Sequence, residues 1–352
     1  MNTSTGRAFA PFAIAGALLW APPAGAAQDA PPTYAVIDRI HLPGAQGWDY
    51  LEADPAGHRL FVTRGDSVMV VDTRDGSLLT TLPGVQGAHG AVPVGDFAYV
   101  TSGRNNVVLV YDLRTGALVD TVPVQGEGPD ALVAEPTVGK VFVMNHRSGN
   151  IAVIDTAVRR VTATIPALGQ LEFAVRDGHG RIFVNSEETG EIAVIDAASA
   201  KMVARWSLGG CEEPTGLAID AAHERLFSVC ANERMAIVDS RTGAVVATLP
   251  IGKHPDGAAF DPGTGMAFSS NGEGTLTLVH EDDPAHFRVV ANLPTQPGAR
   301  TIAVDPATHR VYLTAASYGP RPEATAENPH PRPPVVPGSV VVLVVAPEPA
   351  AH

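Results

Sequence analysis

The stretch TGLAIDAAHERLFSVCANERMAIVDSRTGAVVATLP, residues 215–250, carries the organisation of the whole chain in one copy. A run of apolar and small residues closes on Asp220, and a tight turn leads to Arg225-Leu226-Phe227-Ser228. A second apolar run ends in Val238-Asp239, a Thr242-Gly243 turn follows, and the last segment closes with Leu249-Pro250. The runs are β-branched or alternating, and the junctions hold turn formers, so the stretch reads as four short strands.

Outward from it, the aromatic strand returns six more times. It reads Leu60-Phe61-Val62, Ala98-Tyr99-Val100, Val141-Phe142-Val143, Ile182-Phe183-Val184, Ala267-Phe268-Ser269 and Val311-Tyr312-Leu313. With Leu226-Phe227-Ser228 in its place, the seven copies are spaced by 38, 43, 41, 44, 41 and 44 residues. Four strands at such a period are the signature of propeller blades, and a single blade cannot bury its own faces. The fold class is therefore all-β, a seven-bladed β-propeller forming one domain over residues 27–352. The last copy supplies Thr301–Val304, Val311–Thr314 and Val340–Val345, three strands only. Its missing outer strand matches Tyr34–Pro43, where Ile40-His41-Leu42-Pro43 mirrors Ala247-Thr248-Leu249-Pro250. The N-terminal strand is expected to close the final blade and remove a free sheet edge. The recurring Val71-Asp72, Tyr111-Asp112, Ile154-Asp155, Ile195-Asp196 and Val238-Asp239 are read as turn caps, because Asp bonds its own backbone two residues on.

Residues 1–26 read as a signal peptide of the Sec type. Arg7 is followed by the apolar run Ala8–Ala21, Pro22-Pro23 and the small residues Ala24-Gly25-Ala26-Ala27. That run falls short of the ~20 residues a bilayer span needs, and no later segment approaches it. A periplasmic or secreted protein without membrane insertion is expected, and a monomer. Removing the leader takes one Arg and leaves 23 basic against 37 acidic residues, a formal charge of −14. That balance disfavours nucleic acid as a partner. Cys211 and Cys230, without C-x-x-C spacing, are expected to form a disulfide.

In each blade the first strand lines the central channel. Counting back five residues from Asp54, Val94, Glu135, Asp177, Asp220, Asp261 and Asp305 gives one equivalent position per blade. These read Asp49, His89, Asp130, Glu172, Thr215, Asp256 and Arg300. A pure turn role would favour the same small residues in every blade, and His89, Glu172 and Arg300 do not fit it. They are expected to ring one mouth of the channel as a ligand-binding face, joined by Trp48, Asn145, Glu213 and Asn271. Asp49, His89, Asp130 and Glu172 are the candidate ligands of a divalent metal, calcium or zinc; no other cofactor is indicated. The Pro-rich segment 316–338 is expected to run extended beside the mouth, offering Tyr318, Arg321 and His330.

The chain resembles the YVTN-type propellers, and within them the YncE-like family of exported bacterial proteins. The resemblance rests on Asp305-Pro306-Ala307-Thr308-His309-Arg310-Val311-Tyr312 and on Val143-Met144-Asn145 followed by Asn150-Ile151-Ala152-Val153-Ile154-Asp155. Cys211-Glu212-Glu213-Pro214-Thr215-Gly216 and Ser270-Asn271-Gly272-Glu273-Gly274-Thr275 add to it. It implies seven blades and an exported location, and little about activity. The leading functional expectation is a non-catalytic binding or scaffold protein that recognises a small ligand or protein partner at the ring face. One alternative is a metal-dependent lactonase or lyase with His89 as general acid or base. Another is a docking subunit of an exported redox enzyme.

Overall fold

The structure is a computed structural model that describes residues 1–6, 31–44, 46–167, 169–325, 329 and 331–349. Most of the proposed leader, and His330, lie outside these residues. From Pro31 onward the chain forms a compact unit by itself. Its described strands make seven four-stranded antiparallel sheets, and its described helix is a single 3-10 turn, Pro136–Val138. The seven-bladed propeller expected from the repeat is thus the observed fold.

Each blade runs from an inner strand outward in sequence order. The inner strands are Leu51–Asp54, Ala88–Val94, Pro129–Glu135, Leu171–Arg176, Pro214–Asp220, Pro255–Asp261 and Thr301–Asp305. Blade 7 departs from the order: Thr301–Asp305, Arg310–Ala315 and Val341–Pro347 are followed by Tyr34–His41. The register runs from Tyr34 opposite Pro347 to His41 opposite Val341, so the first strand of the chain seals the last sheet.

The recurring aromatic has a single job. Phe61, Tyr99, Phe142, Phe183, Phe227, Phe268 and Tyr312 are all at most 1 % exposed, packed where one sheet faces the next. Phe227 of blade 5 stacks on Phe260 of blade 6 with centroids 5.2 Å apart. Full burial of such a ring removes about 2–3 kcal/mol worth of apolar surface from water, which explains why the residue returns in every copy. Close approach matters as much near the axis: a Cβ on Gly216 would lie 2.4 Å from the Ala258 nitrogen of the neighbouring blade.

The apolar-Asp pairs cap turns as expected. Asp112 Oδ1 accepts from the Arg114 and Thr115 amides at 3.0 and 2.8 Å, and Asp239 Oδ1 does the same for Arg241 and Thr242. These bonds hold both carboxyls below the usual carboxylate range, against the upward push of desolvation. Cys211 and Cys230 are disulfide-bonded, with Cα atoms 5.3 Å apart. No helix among the described residues is long and apolar enough to cross a membrane.

Candidate functional site

At one end of the ring, the inner strands begin with an irregularity. The register against the second strand shifts between Ala88 and Ala91, Pro129 and Leu132, Leu171 and Ala174, Pro214 and Leu217, and Pro255 and Gly257. A bulge inserts a residue and re-aims its side chain. His89, Asp130, Glu172, Thr215 and Asp256 fall within these five bulges, while Asp49 lies two residues before the inner strand of blade 1 and Arg300 immediately before that of blade 7. The neighbouring blade fixes the backbone there. Thr101 Oγ1 donates to the Asp130 carbonyl at 2.8 Å, Asn185 Nδ2 to the Thr215 carbonyl at 2.9 Å, and Ser270 Oγ to the Arg300 carbonyl.

Five side chains line up as alternating acid and imidazole. His89 Nδ1 lies 2.6 Å from Asp49 Oδ2 and 3.3 Å from Asp130 Oδ1. His146 Nδ1 lies 3.1 Å from Glu172 Oε1 and 3.9 Å from Asp130 Oδ2. Tyr50 Oη donates to Glu172 Oε2 at 3.0 Å. The hydrogen bond to Asp49 raises the His89 pKa above its ordinary value, and the one to Glu172 raises His146. Burial, then the charge of Asp49, drives the Asp130 carboxyl strongly upward. Protons bound here compensate a cluster of carboxylates that would otherwise repel one another in a poorly solvated place. Asp130 Oδ1 has no hydrogen-bond partner in good geometry.

Those distances suit a cation as well as protons. Asp49, His89 and Asp130 offer ligand atoms within 4.8 Å of one another, and so do Asp130, His146 and Glu172. The expected set Asp49, His89, Asp130 and Glu172 thus does not meet at one point: the first three group together, and Glu172 groups with Asp130 only through His146, which was not expected. Each triad contains an imidazole, which favours a zinc-class ion over calcium, whose ligands are oxygens. A bare glycine is required beside the first: a Cβ on Gly103 would lie 2.8 Å from the His89 ring.

The cavity above has a volume of about 560 Å³ and a second character on its other walls. Arg104, Arg147, Arg300 and Arg332 line it together with Trp48 and four of the row, Asp49, His89, Asp130 and His146, while Glu172 lies outside the lining. Arg300 Nη1 pairs with Asp256 Oδ2 at 2.8 Å; burial nevertheless raises Asp256 to about 6. A side space of about 370 Å³ opens between Trp48, Tyr318, Arg332 and Val335. Trp48 and Tyr318 face each other at 6.4 Å, and the buried Trp48 Nε1 has no partner.

Other expected residues sit elsewhere. Asn145 Nδ2 donates to Asn150 Oδ1 at 2.7 Å, and Asn271 Nδ2 to Thr275 and Thr277 at 3.0 and 2.9 Å. Both are buried supports of a hairpin and are not among the cavity walls. Glu213 is an exposed loop residue with a left-handed φ of 46°, also outside the lining. The Pro-rich segment doubles back on itself, Gly319 N donating to the Pro334 carbonyl and Val336 N to that of Ser317. It presents Tyr318 and Arg332 to the mouth, while Arg321 is exposed and not in the lining. His146 and Arg332 were outside the sequence prediction. His146 follows the last residue of a second strand, where other blades carry Gly65, Gly103, Glu187, Ala231, Gly272 and Ala316. An ionisable residue at a position so often small was the available signal.

No family model matches the chain, and no curated protein matches it. Solved structures do. A chain of Kuenenia stuttgartiensis hydrazine synthase is similar at 19 % identity and a TM-score of 0.65, over 76 % of this chain and 92 % of that one. A chain of the mitotic checkpoint complex is similar at 14 % identity and a TM-score of 0.72, over 96 % and 98 %. At such identities the likeness establishes the propeller fold alone.

Proposed function

We propose that this chain is an exported, YVTN-type binding protein that holds a zinc-class divalent ion and a small anionic ligand at the channel mouth. The observation that carries this reading is the row Asp49–His89–Asp130–His146–Glu172, whose first four side chains line a cavity walled by four arginines. The row supplies a cation site with open positions. Arg104, Arg147, Arg300 and Arg332 supply the charge and hydrogen-bond donors that recognise a carboxylate or phosphate. Trp48 and Tyr318 give an apolar wall to the rest of such a ligand. Export is supported by the residue 1–26 leader pattern and by the disulfide.

The test is calorimetric titration of Zn²⁺ into chelator-stripped protein, then of succinate, a weak zinc ligand, as anionic probe into the metal-loaded form. Asp130→Asn removes the ligand both triads share and is expected to weaken Zn²⁺ binding at the mouth at least tenfold. Arg332→Ala is expected to weaken succinate and leave Zn²⁺ unchanged. Unaltered Zn²⁺ binding in Asp130→Asn would remove the basis of the reading. Turnover of lactone or ester substrates by the metal-loaded protein would instead promote the lactonase or lyase alternative. The docking-subunit alternative finds less support at the mouth, which is charged; Leu78, Leu79, Leu118, Val119, Val245 and Val246 are exposed on outer strands.

A further inference from the structure

At the end of the ring away from the mouth, Asp220, His223 and Glu281 meet across the boundary between blades 5 and 6. His223 Nδ1 lies 2.8 Å from Asp220 Oδ2 and 3.0 Å from Glu281 Oε1. One ring nitrogen carries one proton, so it cannot satisfy both carboxylates. Glu281 is 6 % exposed, and neither of its oxygens has a donor in hydrogen-bonding geometry. Burial and then the neighbouring Asp220 push its pKa upward. A buried carboxylate without donors is costly, and native structures rarely keep one without a partner.

The fold does not ask for this arrangement. Glu281 follows the third-strand residue paired with the start of the second strand. The equivalent residues in blades 1 to 5 are Thr73, Leu113, Thr156, Ala197 and Ser240, none of them ionisable. Asp220, like Asp305 of blade 7, pairs with no Arg among the described residues. In blades 1 and 4 the acid near the inner-strand end, Asp54 or Asp177, pairs with Arg59 or Arg181. The corresponding Arg225 turns away, to Asp239 Oδ2 at 3.2 Å and the Pro284 carbonyl at 2.8 Å. Among the described residues no Lys or Arg pairs with Asp220 or Glu281. Asp220 Oδ1 accepts the Ala222 and His223 amides at 2.9 and 3.3 Å, which orients Oδ2 toward the cluster. His223 is half exposed, so the cluster opens to solvent.

We propose that Asp220, His223 and Glu281 form a second divalent-metal site, in which a zinc-class ion bound by one imidazole and two carboxylates ties blade 5 to blade 6. Three protein ligands leave positions for water on the exposed side, and the ion offsets the two carboxylates that a single imidazole proton cannot both satisfy. The site shares no residue with the mouth and stands independently of the function proposed there.

The experiment uses Co²⁺ alone as probe, because its visible absorption reports imidazole and carboxylate coordination. Chelator-stripped protein carrying Asp130→Asn is titrated, so that the mouth site is weakened at least tenfold and any tighter Co²⁺ binding lies elsewhere. One Co²⁺ per chain is expected, with Glu281→Gln or His223→Gln in that background binding at least tenfold more weakly. Without metal, Glu281→Gln is expected to melt no lower than its parent, since it replaces a donorless carboxylate by a neutral amide; weaker binding is then not unfolding. Should Asp130→Asn fail to fold, Asp49→Asn with Glu172→Gln takes one ligand from each mouth triad and serves as the background. Absence of Co²⁺ binding in these backgrounds, or equal binding with Glu281→Gln and His223→Gln, overturns the proposal.

Discussion

Glu52→Gln probes the interior of the channel. Glu52 lies on the inner strand of blade 1 beside a space of about 220 Å³ lined by five blades, among Leu51, Ala53, Phe173, Val175 and Leu217. Burial, with a smaller push from Asp54, raises its pKa from 4.5 to about 7, and Arg176 offsets this only in part. A carboxyl whose folded pKa is raised contributes stability below its unfolded pKa and loses it as pH rises through the folded value. Wild-type stability is therefore expected to fall between pH 4.5 and about 7 on account of this group. The full difference corresponds to about 3 kcal/mol; discounted for solvent screening, about 2 kcal/mol is the expected loss. Gln carries no charge, so the variant should match wild type at pH 4 and exceed it by that amount at pH 8, a few degrees in Tm. Urea unfolding of both proteins at pH 4, 5, 6, 7 and 8 reads the difference directly, and the other titrating groups cancel in it. A difference independent of pH, or a variant less stable at pH 8, would refute the reasoning.

Two further perturbations test how the ring is held. Cys230→Ser opens the link to Cys211 and is expected to lower stability by about 3 kcal/mol, seen in chemical unfolding and reproduced by adding reductant to wild type. Gly216→Ala drives a Cβ to 2.4 Å from the Ala258 nitrogen, a backbone atom that cannot swing aside; a loss of about 1–3 kcal/mol is expected by the same assay, whereas Gly47→Ala, with open space around it and no left-handed φ, should lose less.

The propeller was legible because its core is built from a repeated requirement. Every blade must fill the gap to its neighbour, so an aromatic recurs from Phe61 to Tyr312 at a spacing that survives all other sequence drift. The mouth residues could be counted from the strand-closing residues, acids in all blades but the second, because the bulge falls at the same place in five blades, carrying His89, Asp130, Glu172, Thr215 and Asp256 with it. What counting could not give was convergence. His146 reaches the row from a different strand, and Arg332 comes from a segment with no period to index it. Asn145 and Asn271 share a strand-end position near the mouth, yet their short amides are satisfied within their own hairpins, a matter of side-chain direction that spacing does not encode. Glu281 was hidden for a related reason: its significance depends on what the equivalent residues in other blades are not, and on Arg225 facing elsewhere.

The seal of blade 7 also sets a timetable. Residues 34–41 are made first and have no sheet partner until residues 341–347 exist. During synthesis the six interior blades can stack in order, since each is assembled from consecutive chain, while the circle stays open and one segment waits unpaired. The last register to form is thus the one of greatest sequence separation, and its formation brings the two termini of the ring side by side, Glu348 N donating to the Thr33 carbonyl at 2.7 Å. A short peptide joining these neighbours, with new ends cut in an outer turn such as Arg241–Gly243, would convert that slowest pairing into a local hairpin.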